Sequence, residues 1–135
     1  MVYTISKQLT TSFEDAEELI RAALKQEGFG VLTEIDVQKT LKQKLDIAYK
    51  QYKILGVCNP SLAYKALTEE QEIGAFLPCN VLIYENSGKI NVSILKPTSA
   101  LGLSANPQIA IIAKEAELKL VKVLKILVSK ERSSQ

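Results

Sequence analysis

The sequence predicts an α+β fold in which an antiparallel-dominated sheet carries two long helices on one face. Three observations lead there. Residues 13–24 and 109–127 repeat apolar side chains at helical spacing, several short segments alternate apolar and polar residues, and Asn86-Ser87-Gly88-Lys89 links two of those segments through turn formers. The elements run strand, helix, strand, strand, small helices, strand, strand, long helix.

Residues 2–9 place Tyr3 and Ile5 on one face of a first strand. Ser12 with Asp15, or Thr11 with Glu14, resembles a capping box. Phe13, Ala16, Leu19, Ile20, Ala23 and Leu24 then form one helical stripe that Gly28 can terminate. Phe29, Val31, Thr33 and Ile35 alternate with Gly30, Leu32, Glu34 and Asp36 as a second strand, and Asp36 can cap a short helix over Val37–Leu45.

Ile54-Leu55-Gly56-Val57 suits a buried strand. Asn59-Pro60 is a favourable helix start, because Asn caps free N–H groups and Pro tolerates the first helical position. Thr68, followed by Glu69, Glu70, Gln71 and Glu72, reads as a further cap whose turn Gly74 can end. Val81 to Tyr84 and Ile90 to Ile94 form the hairpin strands. Lys96-Pro97 closes the second of them, and residues 98–105 read as a connecting loop of small residues.

Asn106-Pro107 opens the second long helix, with Ile109, Ile112, Ala113, Ala116, Leu120, Val123, Leu124 and Leu127 in one stripe. Ile111 and Leu118 project from its other side and point to a subunit contact, hence a homodimer. Residues 130–135 read as a frayed tail.

Composition narrows the function classes. At 135 residues, with 47% apolar and 24% charged side chains, the chain is expected to fold as a single domain, residues 1–135. A net charge of +2 does not call for a polyanionic partner, so the Lys and Tyr mixture of residues 36–53 reads as a solvated face rather than a nucleic-acid surface. Six charged residues within 109–128 exclude a membrane span at roughly 2.5 to 3.5 kcal/mol each. The first residues do not resemble a signal peptide, which places the chain in the cytoplasm with free thiols. The absence of His removes His-based acid–base catalysis and the commonest zinc ligand. No GxGxxG, P-loop or GxSxG motif is present, so a binding role is expected rather than an enzyme.

Chemistry concentrates in residues 56–85. Both cysteines lie there, each followed by an asparagine, in Val57-Cys58-Asn59-Pro60 and Leu77-Pro78-Cys79-Asn80. If the strands they border are antiparallel neighbours, both thiols lie at one end of the sheet.

Gly56-Val57-Cys58-Asn59-Pro60-Ser61-Leu62-Ala63-Tyr64-Lys65-Ala66-Leu67, followed by Leu77-Pro78-Cys79-Asn80-Val81-Leu82-Ile83-Tyr84-Glu85, resembles the signature of the domain of unknown function 302 family. The resemblance extends from the first helix to the last. It implies a curved antiparallel sheet in the order β-α-β-β-β-β-α, similar to the TATA-binding protein, and implies no established activity. An acidic residue often precedes the strand-ending proline in that family, whereas Lys96 stands there in this chain.

Three functions suit Cys58, Asn59, Cys79 and Asn80. The four residues could hold a small ligand or, through the sulfurs, a soft metal such as Cu(I) or zinc, a two-fold dimer supplying four sulfurs. A second possibility is thiol redox chemistry, with the Cys58 pKa lowered by the dipole of the helix starting at Pro60. The third is a dimeric interaction domain without chemistry. Against all three stands plain packing, with the cysteines as small apolar fillers, Asn59 a helix cap and Asn80 a strand-end bond.

Overall fold

The computed structural model describes residues 3–134. Five strands, β1 (Thr4–Leu9), β2 (Gly30–Asp36), β3 (Tyr52–Cys58), β4 (Cys79–Asn86) and β5 (Lys89–Leu95), form one sheet in the order β1-β5-β4-β3-β2. Every neighbouring pair is antiparallel. The turn between β4 and β5 places Ser87 at φ 52° and Gly88 at φ 78°, the two consecutive positive values of a tight hairpin whose twist matches its strands.

Helices α1 (Phe13–Gln26) and α5 (Pro107–Ser134) cover one face of the sheet. Ala16, Ile20, Ala23 and Leu24 of α1 and Leu120, Val123, Leu124 and Leu127 of α5 close over Leu9, Leu55, Val57, Val81, Ile83, Val92 and Ile94. Ser12 Oγ accepts from the Asp15 N–H, and Gly28 takes φ 84° beyond the other end of α1, as the capping pattern requires. A smaller cluster joins Ala66 of α3 (Pro60–Glu69), Ile73 of a 3-10 helix (Gln71–Phe76), Leu101, and Ile109 and Ala113 of α5. No helix among the described residues is long and apolar enough to cross a membrane.

Several local expectations change. The first strand begins at Thr4. Tyr3 is exposed rather than sharing the packed face of Ile5, and Val2 lies outside the described residues. A bulge between Val31 and Thr33 breaks the alternation of β2. Val31 pairs with core residue Val57 and Thr33 with Gly56, so they occupy opposite faces. Thr68 is no cap: it lies within α3, and its hydroxyl donates to the Tyr64 carbonyl. The expected loop after β5 begins with a short helix, α4 (Pro97–Ala100), because Pro97 serves as a first helical residue. The final helix continues to Ser134, and Glu131 Oε2 accepts from the Thr10 N–H at 2.8 Å, tying that end to the sheet; Gln135 lies outside the described residues. The short helix α2 (Val37–Leu45) buries no residue completely, although Asp36 caps it as anticipated.

Candidate functional site

Strand pairing brings the twin motif together. Val57 is opposite Cys79 and Gly56 opposite Asn80, so Cys58 stands one residue beyond the partner of Cys79. Both are free cysteines. They line one cavity of about 40 Å³ whose other walls, Asn59 apart, are apolar, including Leu62, Ala63 and Ala66 of α3 and Ile112 and Ala116 of α5.

That lining decides the thiol chemistry. Burial pushes the Cys58 thiol above its usual range, contrary to the lowering expected from the α3 dipole. Pro60 offers no N–H, and Asn59 Oδ1 already accepts from the Leu62 N–H, so the first turn has little positive end left to offer Cys58. Cys79 is pushed up as well, first by burial and then by the charge of a neighbouring Cys58 thiolate.

The asparagines separate. Asn59 Oδ1 is the α3 cap at 3.2 Å, and its Nδ2 donates to the Glu27 carbonyl at 3.4 Å, tying α3 to the end of α1. Its amide is committed to the fold. Asn80 pairs with Gly56, one position along from Cys79, and therefore faces away from the helices. It is exposed and does not line the cavity. Of the four expected site residues, the fold brings together Cys58, Cys79 and the capping Asn59, and leaves Asn80 on the other side.

Packing explains another part of the motif. A Cβ at Gly56 would collide with the Thr33 hydroxyl and stand 2.8 Å from Pro78 Cγ. Gly56 of the first half and Pro78 of the second therefore meet face to face, and only hydrogen fits between them.

Among the described residues no group of three or more Cys, His, Asp or Glu could hold a metal ion, so a four-ligand site is not complete within these residues.

The sheet face away from α1 and α5 carries a second arrangement that no sequence motif marks. Register puts Gln8, Asn91, Tyr84 and Tyr52 in one transverse row across β1, β5, β4 and β3. The Tyr52 and Tyr84 rings stack at 5.1 Å with an interplanar angle of 17°, and Tyr49 joins at 6.4 Å from Tyr52. Lys50 Nζ stands over Tyr84 at 5.2 Å and Tyr49 at 6.0 Å from the ring centroids. Burial, and after it the hydroxyls of Tyr84, Tyr49 and Tyr3, holds the Tyr52 phenol above its usual value. Asn91 is only 9% exposed, and its Nδ2 has no hydrogen-bond partner among the described residues. The available signal was the polar residue between Ile90 and Val92, alternating away from the core side and beside the hairpin strand that carries Tyr84.

The molecule is thus an α+β domain whose two long helices leave one sheet face open. The domain of unknown function DUF302 matches residues 5–127, and the chain belongs to that family. The crystal structure of an uncharacterized conserved DUF302 protein from Bacillus stearothermophilus is similar at 31% identity and a TM-score of 0.88, over 94% of this chain and 99% of that one. No curated protein matches the chain.

Proposed function

We propose that the chain is a binding module rather than a catalyst, and that it holds a soft monovalent ion of the Cu(I) type between Cys58 and Cys79. The carrying observation is the shared cavity: two thiols border a space of about 40 Å³, whereas pockets for drug-sized organic ligands run to roughly 300 Å³ or more. An ion fits where a small organic molecule does not. Soft thiolates select such ions, and two sulfurs satisfy a low coordination number. Binding releases a proton from each thiol. Because burial holds both pKa values up, affinity rises with pH through the neutral range. The same upward shifts weaken the redox alternative, which needs a thiolate at neutral pH. Free thiols suit a reducing, cytoplasmic setting.

An anaerobic Cu(I) titration against a chromophoric chelator tests the reading. One ion per chain is expected, with Cys58→Ser and Cys79→Ser each abolishing uptake. Uptake unchanged in the double variant would remove it.

A second reading rests on Ile111 and Leu118, 60% and 59% exposed on the outer side of α5. We propose that this side meets its two-fold copy, so that the chain is a homodimer. Ile111 shares a groove with exposed Tyr64 of α3, extending the apolar surface. Sedimentation velocity should give a dimer that Leu118→Glu converts to monomer; a monomer at high concentration in the unaltered protein contradicts this reading.

A further inference from the structure

We infer that the open sheet face binds a free mononucleotide, stacked on Tyr84 and hydrogen-bonded to Asn91. The strongest indication is the Asn91 amide, whose Nδ2 is buried without an acceptor at the middle of the sheet. A buried donor left unpaired lowers stability, and a native fold retains few of them, so the group calls for an acceptor that arrives from outside. The cysteine cavity cannot supply it, since Asn91 pairs with Tyr84 and Gln8 on the face away from the helices.

The neighbours of Asn91 define the acceptor's chemistry. Tyr52 covers one face of the Tyr84 ring in a near-parallel stack, and the strand order turns the other face toward β5, where Asn91 stands. A planar ring that displaces the Lys50 ammonium from over Tyr84 and parts the side chains that cover the amide brings an edge carbonyl to it. Base-on-tyrosine stacking is a general, sequence-tolerant way to hold a heterocycle. Lys50, now over the Tyr84 and Tyr49 rings, supplies a positive charge within reach of an anionic group attached to the ring. Ring, carbonyl and negative charge together describe a nucleotide. The net charge of only +2 favours a single nucleotide over a strand, whose many phosphates call for a broad basic surface.

Asn91→Leu separates this role from a structural one. Removing an unpaired buried amide should raise the melting temperature while weakening binding at least about tenfold, the loss expected for one hydrogen bond in a desolvated site. A scaffold asparagine would instead lower the melting temperature on replacement.

The experiment titrates uridine monophosphate into the full chain, following tyrosine emission and the Asn91 side-chain amide by nuclear magnetic resonance. Saturable 1:1 quenching with a shifted Asn91 amide, reduced about tenfold or more by Asn91→Leu and by Tyr84→Ala, is the expected result. Tyr84→Leu keeps an apolar side chain in the strand should the alanine variant fail to fold. The inference is overturned if millimolar uridine monophosphate leaves both signals unchanged, or if ribose 5-phosphate reproduces the response without a base. It is also overturned in favour of a strand-binding surface if a ten-residue oligouridylate binds more tightly than its tenfold nucleotide content explains.

Discussion

Asn59 and Asn91 sit in opposite circumstances. Asn59, in the conspicuous motif, caps α3 with its carbonyl oxygen and holds the end of α1 with its nitrogen. Asn91, in β5 outside that motif, has a buried nitrogen with no partner among the described residues. The contrast teaches that a distinctive residue pattern can record packing, while unspent hydrogen-bonding capacity collects where no motif draws the eye. At the cysteine end, polar atoms belong to the fold and the thiols are left beside apolar walls. On the open face, an aromatic row and an amide wait on something outside the chain.

The comparison can be broken at several points. Leu62, buried and lining the thiol cavity, gives the largest effect: Leu62→Ala should lower stability by about 2–5 kcal/mol in a denaturant titration, because the wall cannot fully collapse. A loss near zero would mean that the cavity end is loosely packed. Gly56→Ala should lose about 1–3 kcal/mol, since the added methyl group meets Thr33 and Pro78. If thermal unfolding is unchanged, the two motif halves are not locked by contact. Asn59→Ala should lose about 1 kcal/mol through its cap.

A smaller effect sharpens the comparison by pH. The Glu17 carboxylate lies between Lys53 at 2.8 Å and Arg21 at 2.9 Å, on the helix-covered side. Burial is the largest single influence and works to raise its pKa, but the hydrogen bonds and charges of Lys53 and Arg21 together outweigh it and hold the carboxyl below its ordinary value. A depressed folded pKa means that the stabilisation is present above the unfolded value and is lost as pH falls through the folded one. Glu17→Gln should therefore flatten the acid limb of a stability-versus-pH curve. The change should stay below about 1 kcal/mol, because Lys53 and Arg21 remain partly in water. An unaltered acid limb would show that the pair adds nothing. Lys53 is raised, first by its hydrogen bond to Glu17, so its share is complete below its ordinary value and fades only as strongly alkaline pH crosses the raised one.

Much of the fold was legible because its signals are local. The Phe13 to Leu24 stripe, the Ser12 cap, the Asn-Pro helix starts and the Ser87-Gly88 turn each follow from a few neighbouring residues. The sheet end shared by Cys58 and Cys79 was also within reach, since adjacent antiparallel strands impose it. Three features were not. The Val31/Thr33 bulge sets Thr33 opposite Gly56 across strands, the thiol pKa values answer to walls from α3 and α5, and the Gln8-Asn91-Tyr84-Tyr52 row exists only once four strands are in register. Thr68 misled because the same hydroxyl that can cap a helix can also bond back to the preceding turn, and it took the second option.

The most direct measurement is a pair of urea titrations, of Asn59→Leu and Asn91→Leu against the unaltered chain. Asn59→Leu should shift the midpoint downward and Asn91→Leu upward by a smaller amount, both with unchanged slope. A downward shift for Asn91→Leu as large as that for Asn59→Leu would mean that its amide is already bonded within the fold, and the distinction between the two regions would fail.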